Sequence, residues 1–351
     1  MNLKELSESL GLSQTTVSRA LNGYPEVSER TRKRVTKAAA ENNYRPNARA
    51  IGLATGRSMT IGHVIPVISS NDVVNPVFGE FIAGASRTYS KHGYELLLTV
   101  ADELEEEETY RNFVAKGSVD GVIVHSPGTS DKRVSLLRDI GLPFVVHGRI
   151  NDSDEPYSWV DMNNRQAFRQ ACQLLLDMGH RRIALVNGRE DLNFAWLRQK
   201  GYEDALQGVG LAADRNLMSS GDMTETCGYE TASQLLSSDN PPSAFVVSSY
   251  IVAIGVQRAI THAGLRVGKD VSVVTHDDEL SFFDNQGEVP QFTATRSSVR
   301  EAGVLAAQML LDIIDSPESA PQSHLLEARL IVGSSTGPLV ESNRSGGRRS
   351  A

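Results

Sequence analysis

Leu3-Lys4-Glu5-Leu6-Ser7-Glu8-Ser9-Leu10-Gly11-Leu12-Ser13-Gln14-Thr15-Thr16-Val17-Ser18-Arg19-Ala20-Leu21-Asn22 reads as two short helices joined by a tight turn. Leu3, Leu6 and Leu10 recur at helical spacing, and Leu12, Val17 and Leu21 supply a second apolar stripe, so one small core serves both segments. Asn2 is placed to cap the first helix, with Glu5 three residues on to complete a capping box. Gly11 suits the turn that ends this helix, and Ser13 is the cap of the next. On the second helix Gln14, Thr15, Ser18 and Arg19 lie opposite the apolar stripe. Gln and Arg make two-pronged hydrogen bonds to the edges of A and G in the DNA major groove. Taken alone, the pattern also fits an amphipathic hairpin with a solvated polar face. The segments that follow favour a DNA-binding helix-turn-helix.

Ser28 to Ala40 forms a third, basic helix, and Asn43-Tyr44-Arg45-Pro46-Asn47 leads on toward Leu53. Residues 1–60 hold ten Lys/Arg against five Asp/Glu, a net of +5, while the whole chain carries −8 and the remainder therefore −13. A basic head on an acidic body suits a nucleic-acid module joined to a domain that does not itself adhere to DNA. At 351 residues the chain is long enough for such a head and two further lobes with their own cores. Lys4 and Glu5 exclude an N-terminal signal peptide, and no apolar run reaches membrane-spanning length, so a cytoplasmic protein without a membrane partner is expected. Cys172 and Cys227 are too few and too far apart for a disulfide framework or a zinc site; they read as small buried residues, and neither a metal nor a cofactor is expected.

Beyond residue 60 strands and helices alternate. Apolar runs at 61–67, 94–100, 121–124 and 143–146 read as strands, with helices at 78–92, 109–116 and 132–140 between them. The rhythm restarts after Asp161, with helices at 166–178, 197–208, 227–236 and 252–263 and strands at 182–186, 244–247 and 271–274. This pattern predicts an α/β body of two similar lobes, each a doubly wound parallel sheet. In such sheets ligands bind beyond the carboxyl ends of the strands, here between the lobes. The residues just after the strands are therefore candidates: Pro66 to Ser69, His125-Ser126, His147-Gly148-Arg149, Asn187, Ser248-Ser249-Tyr250 and His276-Asp277-Asp278.

The chain resembles the LacI/GalR family of bacterial transcription regulators. The family's pattern TVSR.LN, then VS..TR, then NY.PN..A..L is matched by Thr16 to Asn22, Val27 to Arg32 and Asn43 to Leu53, and the likeness runs to about Pro338. The resemblance implies a helix-turn-helix head at 1–45, a hinge at 46–57, a body at 58–338 of the periplasmic-binding-protein type, and a flexible tail at 339–351. The second lobe would begin near 161 and the chain would cross back near 290. It implies a homodimer, since two heads must read the two halves of a pseudo-palindromic double-stranded operator. Asn2, Ser13, Thr16, Asn22, Ser28, Thr31, Tyr44 and Asn47 would join Gln14, Thr15, Ser18 and Arg19 at the DNA, with Leu53 as a minor-groove wedge.

The same resemblance implies a small sugar effector in the cleft. Arg198 and Asp277 match the family's cleft arginine and aspartate, a pair that would face each other and hold sugar hydroxyls by charge-assisted bonds. Phe78 fits an aromatic at the cleft rim and could equally only cap its lobe's core. His125, His147, Arg149 and His276 are further candidate donors, and Phe194 completes the set. Three positions depart from the family pattern: Ser249-Tyr250 replaces Asn-Asp, Thr275-His276 precedes the two aspartates, and Met223 stands where an aromatic is frequent. The run His276-Asp277-Asp278 is similar to that of α-glucoside-responsive members.

An enzyme is not expected. The chain has no Gly-x-Ser-x-Gly elbow, Walker loop, dinucleotide glycine fingerprint or HExxH helix. Asp277 and Asp278 could form a glycosidase-like pair only if both faced one site, and neighbours at a strand end point to opposite sides. A sugar-binding protein without DNA binding is the competing reading, and deletion of residues 1–57 separates the two. The tail lacks a heptad pattern, so no tetramerising coiled coil is expected.

Overall fold

The computed structural model describes residues 1–21, 23–44, 56–66, 75–102, 105–151, 156–283, 285 and 287–339. They fall into two compact units, a head from Met1 to Met59 and a body that begins at Thr60.

The head holds helices α1 (Leu3–Leu10), α2 (Gln14–Leu21) and α3 (Glu29–Glu41). The capping box forms as the sequence predicts. Asn2 Oδ1 accepts from the Glu5 amide at 3.0 Å, and the Glu5 carboxylate accepts from the Asn2 amide at 3.0 Å. Gly11 ends α1 with φ of 64°, a left-handed turn that costs glycine no steric strain. Ser13 and Ser28 cap α2 and α3 by accepting from the amides of Thr16 and Thr31. Leu6, Val17 and Val35 are fully buried at the centre, and Leu10, Ala20, Val27 and Ala39 close the core around them. The basic helix is not uniformly free for a partner. Arg34 donates to the carbonyl of Leu10 at 2.6 Å, and Arg32 to that of Tyr24 at 2.9 Å, so two of its cations tie α3 to its neighbours.

The body contains two six-stranded sheets. The first lobe is built from β1 (Thr60–Pro66), α4 (Pro76–Lys91), β2 (Glu95–Ala101), α5 (Glu106–Lys116), β3 (Gly121–His125), α6 (Arg133–Asp139), β4 (Phe144–His147) and β5 (Trp159–Met162). The second comprises α7 (Asn164–Asp177), β6 (Ile183–Asn187), α8 (Asn193–Gly208), β7 (Met218–Ser220), α9 (Glu225–Leu236), β8 (Ala244–Val247), α10 (Tyr250–His262), β9 (Ser272–Asp277) and β10 (Thr293–Arg296). The chain then returns to the first lobe as α11 (Val299–Asp315) and β11 (Ser323–Leu326), and crosses once more to place β12 (Arg329–Ile331) in the second sheet. Strand orders are β11-β5-β4-β3-β1-β2 and β12-β10-β9-β8-β6-β7. Every pairing is parallel except that of β12 with β10. The central strands β3, β6 and β8 are buried throughout, as continuous apolar runs covered by helices on both faces require.

Helices pair closely on both lobes, and glycine is the reason. A methyl group at Gly303 of α11 would lie 2.1 Å from the Phe81 carbonyl of α4, and one at Gly84 of α4 would lie 2.1 Å from the Arg300 carbonyl. Gly228 and Gly255 play the same reciprocal part between α9 and α10. With carbonyl oxygens as the opposing atoms, no side chain can swing away to make room. Gly303→Ala is therefore expected to lower the unfolding free energy by about 1–3 kcal/mol through overpacking. Gly208→Ala, where nothing lies within 4 Å, serves as the control. Urea denaturation followed by circular dichroism reads both; equal midpoints would show that the helices separate without cost.

Candidate functional site

The head presents Gln14, Thr15 and Arg19 on the exposed face of α2, while Val17 and Ala20 face the core. The side chains of Gln14 and Arg19 make no hydrogen bond or ion pair among the described residues, so their donors remain available. Ser13 and Thr16 share a hydroxyl contact of 2.9 Å, as do Ser28 and Thr31. Ser18 is half-buried. Tyr44 packs against the head's core, and burial raises its phenol above the ordinary range. Asn22, Asn47 and Leu53 lie outside the described residues, as do residues 67 to 69 of the body.

Between the lobes of the body lies a cavity of about 580 Å³. Of the sequence candidates, Phe78, Phe194 and Met223 line it; Ser126, Arg133, Arg189 and Asp222 contribute polar wall. The lobes touch directly beside it: the Asn193 amide donates to Pro127 O at 3.0 Å and the Thr129 amide to Asp191 O at 2.9 Å. A second junction runs through Glu80 of α4, whose carboxylate accepts from Arg300 at 2.6 Å and from the Ser281 amide of the other lobe at 2.8 Å.

Arg198 is buried in the second lobe. Its Nε donates to Asn164 Oδ1 at 2.7 Å and Nη1 to the Ser248 carbonyl at 2.6 Å, and the guanidinium lies between the rings of Phe168 and Phe194 at 5.0 and 4.9 Å. Burial lowers its pKa to about 10, partly offset by the carboxylates of Asp278 and Asp161. Asn164 in turn donates to Asp161, and Asp161 accepts from Arg149 Nε at 2.7 Å. Arg149 also lies over the Trp159 ring and gives its carbonyl to Asn193 Nδ2 at 2.6 Å. Burial raises the Asp161 carboxyl above its ordinary range, against the pull of Arg149.

The expected pairing of Arg198 with Asp277 does not occur. Asp277 is turned to Arg296, with Oδ2 accepting from Nε at 2.9 Å, while Oδ1 accepts from the Glu279 amide. The carboxylate that acts most strongly on Arg198 is its neighbour Asp278, a member of the strand-end run His276-Asp277-Asp278 in which the resemblance had pointed to Asp277. Asp278 Oδ1 lies 3.2 Å from His276 Nε2. Burial pushes its pKa up, but His276, Arg198 and His147 outweigh this and hold it below the ordinary carboxylate range. Period-two alternation dictates that only one of two adjacent aspartates faces the cleft; which one depends on Arg296, nineteen residues away.

Three other candidates are interior residues instead of free donors. Tyr250 packs on Phe283 and Phe292 at 5.5 and 5.2 Å in the second lobe's core, because α10 begins there and turns its first aromatic inward. His276 spends Nδ1 on Thr295 and Nε2 on Asp278 and Ser297. His125 is fully buried with both ring nitrogens engaged. Ser249 caps α10 through its hydroxyl.

His125 belongs to a chain of rings. Tyr89 OH lies 2.9 Å from His63 Nε2, His63 Nδ1 lies 3.1 Å from His125 Nε2, and His125 Nδ1 lies 3.3 Å from His147 Nδ1. Phe81 stacks on His147 at 4.3 Å. Each contact needs one donor and one acceptor, so the three imidazoles are neutral and polarised in one sense. Burial drives His63 down to about 3 and His147 to about 4, and His125 well below its ordinary value. Among the described residues no group of His, Cys, Asp or Glu is arranged to hold a metal ion, and no helix is long and apolar enough to cross a membrane.

Comparison with known proteins assigns the class. Residues 2–47 match "Bacterial regulatory proteins, lacI family", and residues 172–336 match "Periplasmic binding protein-like domain". The chain is 43% identical over 338 residues to the HTH-type transcriptional regulator AglR of Rhizobium meliloti, covering 96% of this chain and 95% of that one. Among solved structures it is similar to a transcriptional regulator CelR-cellobiose complex (TM-score 0.70, 29% identity, 95% and 99% of the two chains covered). It is also similar to the lac repressor dimer bound to operator and the anti-inducer ONPF (TM-score 0.81, 25% identity, 96% and 99% covered). Fold and head thus define a helix-turn-helix transcription regulator, not an enzyme. The chain belongs to the lacI family of bacterial regulatory proteins.

The buried imidazoles carry a pH dependence. Below the ordinary histidine value of about 6.5 the unfolded chain takes up protons at all three rings and the folded chain does not, so stability falls as pH drops from about 6.5 toward 4. Each ring contributes a slope of up to about 1.4 kcal/mol per pH unit. His147→Gln should flatten the profile by one ring's share. Urea titrations at stepped pH measure it, and an unfolding free energy that stays level between pH 6.5 and 4.5 would rule out neutral rings.

Proposed function

We propose that this chain is a repressor that acts as a homodimer on a pseudo-palindromic operator and is controlled by a small carbohydrate, an α-glucoside by preference, bound between the lobes of its body. Residues 1–45 form the DNA-binding head, 46–57 the hinge that carries Leu53, 58–338 the effector and dimerisation domain, and 339–351 the tail. Sugar closure of the cleft alters the hinge and the spacing of the heads, which couples the two sites by a modest free energy. One observation carries the sugar reading: the buried guanidinium of Arg198, with the Asp278 carboxylate acting on it, lies against the ring of Phe194, which lines the cavity. Carbohydrate recognition needs that combination of directional charge-assisted bonds and apolar ring faces. The cellobiose complex and the operator-bound dimer among the structural neighbours support the ligand class and the assembly. The α-glucoside preference rests on the His276-Asp277-Asp278 run.

The DNA reading rests on the exposed side chains of Gln14 and Arg19 on α2. Arg19→Ala is expected to weaken operator binding by roughly 1–3 kcal/mol per half-site and to relax preference at one base position. Binding-site selection with this variant checks it; an unchanged preference at full affinity removes α2 from the groove.

For the cleft, a bound sugar at about 100 times its Kd should stabilise the body by about 2.7 kcal/mol. Asp278→Asn should weaken that sugar by roughly tenfold while operator affinity survives. Thermal unfolding against a panel of glucosides reads both effects, and a panel without any shift would reject a sugar effector.

A further inference from the structure

We infer that the outer part of the cleft is a subsite for a second sugar ring, read by Lys132 from one lobe and Asp222 from the other, so that the effector is a neutral disaccharide or longer glycoside. The inference rests on the carbohydrate reading above and adds the size, charge and reading residues of the ligand. The inner polar groups that would hold a first ring, buried Arg198 and half-buried Asp278 and His147, are not among the residues that line the 580 Å³ cavity. The two regions meet at Phe194, which covers Arg198 on one side and lines the cavity on the other, and at Phe78, whose ring centre lies 5.3 Å from that of His125 in an edge-on arrangement. The cavity is therefore room beyond the inner polar set. Its volume falls in the range of about 300–1,000 Å³ typical of pockets for drug-sized ligands, more than a lone hexose fills.

The polar wall shows which groups can recognise a ring there. Arg133 is saturated by Asp131 at 2.6 Å and Glu106 at 2.9 Å, Arg189 is bound to Asp191, and Glu225 is bound by Arg258 at 2.7 Å. These pairs make a stiff frame. Lys132, immediately before α6, and Asp222, after β7, have side chains with no hydrogen-bond or ion-pair partner among the described residues. They supply an ammonium donor from one lobe and a carboxylate acceptor from the other, so one ring that bonds both stabilises the closed cleft. Six carboxylates and three cations line the cavity, and that negative excess disfavours phosphorylated or uronate sugars.

Isothermal titration of the full chain tests this with maltose, trehalose, sucrose, cellobiose, glucose, methyl α-glucoside and glucose 6-phosphate. One disaccharide is expected to bind at least tenfold tighter than glucose or methyl α-glucoside, and glucose 6-phosphate more weakly than glucose. Asp222→Asn and Lys132→Met, both at the cavity wall with folding checked by circular dichroism, should each remove most of the disaccharide's advantage while glucose affinity stays within twofold. Lys132→Arg should restore it. Equal affinity for hexose and every disaccharide, equal loss for both in the variants, or preference for the phosphate each overturns the second-ring subsite while leaving a sugar effector standing. If none of these sugars binds, the carbohydrate reading itself fails and the subsite falls with it.

Discussion

The buried guanidinium of Arg198 sets the terms for the rest of the cleft. Removing a charge from water costs several kcal/mol unless hydrogen bonds and nearby opposite charge compensate, and among the described residues Arg198 has no carboxylate in direct contact. Its compensation comes from the Asn164 amide oxygen, the Ser248 carbonyl, two aromatic faces and the fields of Asp278 and Asp161. Each partner sits on a different element. Asn164 opens α7 just after the chain passes between lobes, Ser248 follows β8, and Asp161, in β5 of the first lobe, closes on Arg149 of the same lobe. A chain of bonds thus runs from Arg149 through Asp161 and Asn164 to Arg198 across the crossing point. Anything that rearranges Arg198 is felt by both lobes, which is the physical requirement for a ligand to act on a hinge.

The first lobe answers with a polar element of opposite character. Where the second lobe keeps a charge, Tyr89, His63, His125 and His147 keep a neutral relay, walled by Phe81 and Phe78. A string of imidazoles can reverse its polarisation without gaining charge, so the hydrogen-bonding character of His147 beside Asp278 can change at small cost. The low affinity of these rings for protons follows from their burial, and the same burial makes them a liability in acid.

Close helix packing fixes the distances on which these contacts depend. Gly84 against Gly303 and Gly228 against Gly255 bring helix backbones within reach of one another, and Glu80, one turn before Gly84, is thereby held against Arg300 and the Ser281 amide. The inter-lobe junction at Glu80 is a consequence of that glycine contact, because any larger residue would push α11 and Arg300 away.

The sequence by itself determined whatever depends on near neighbours in the chain. Asn2 with Glu5, Gly11, Ser13 and the leucine stripes suffice to write the head, because capping and amphipathic spacing act within a turn or two. The alternation of apolar runs and helices suffices for two parallel sheets, and strand ends locate the cleft with Phe78, Phe194 and Met223 on its wall. Tertiary structure decided the rest. The choice between Asp277 and Asp278 was settled by Arg296, the inward turn of Tyr250 by Phe283 and Phe292, and the withdrawal of His125 from the cleft by His63 and Phe81. The third crossing was invisible because β11 and β12 are short, half-exposed edge strands whose residues carry no run of their own and become strands only when a neighbouring edge offers hydrogen bonds.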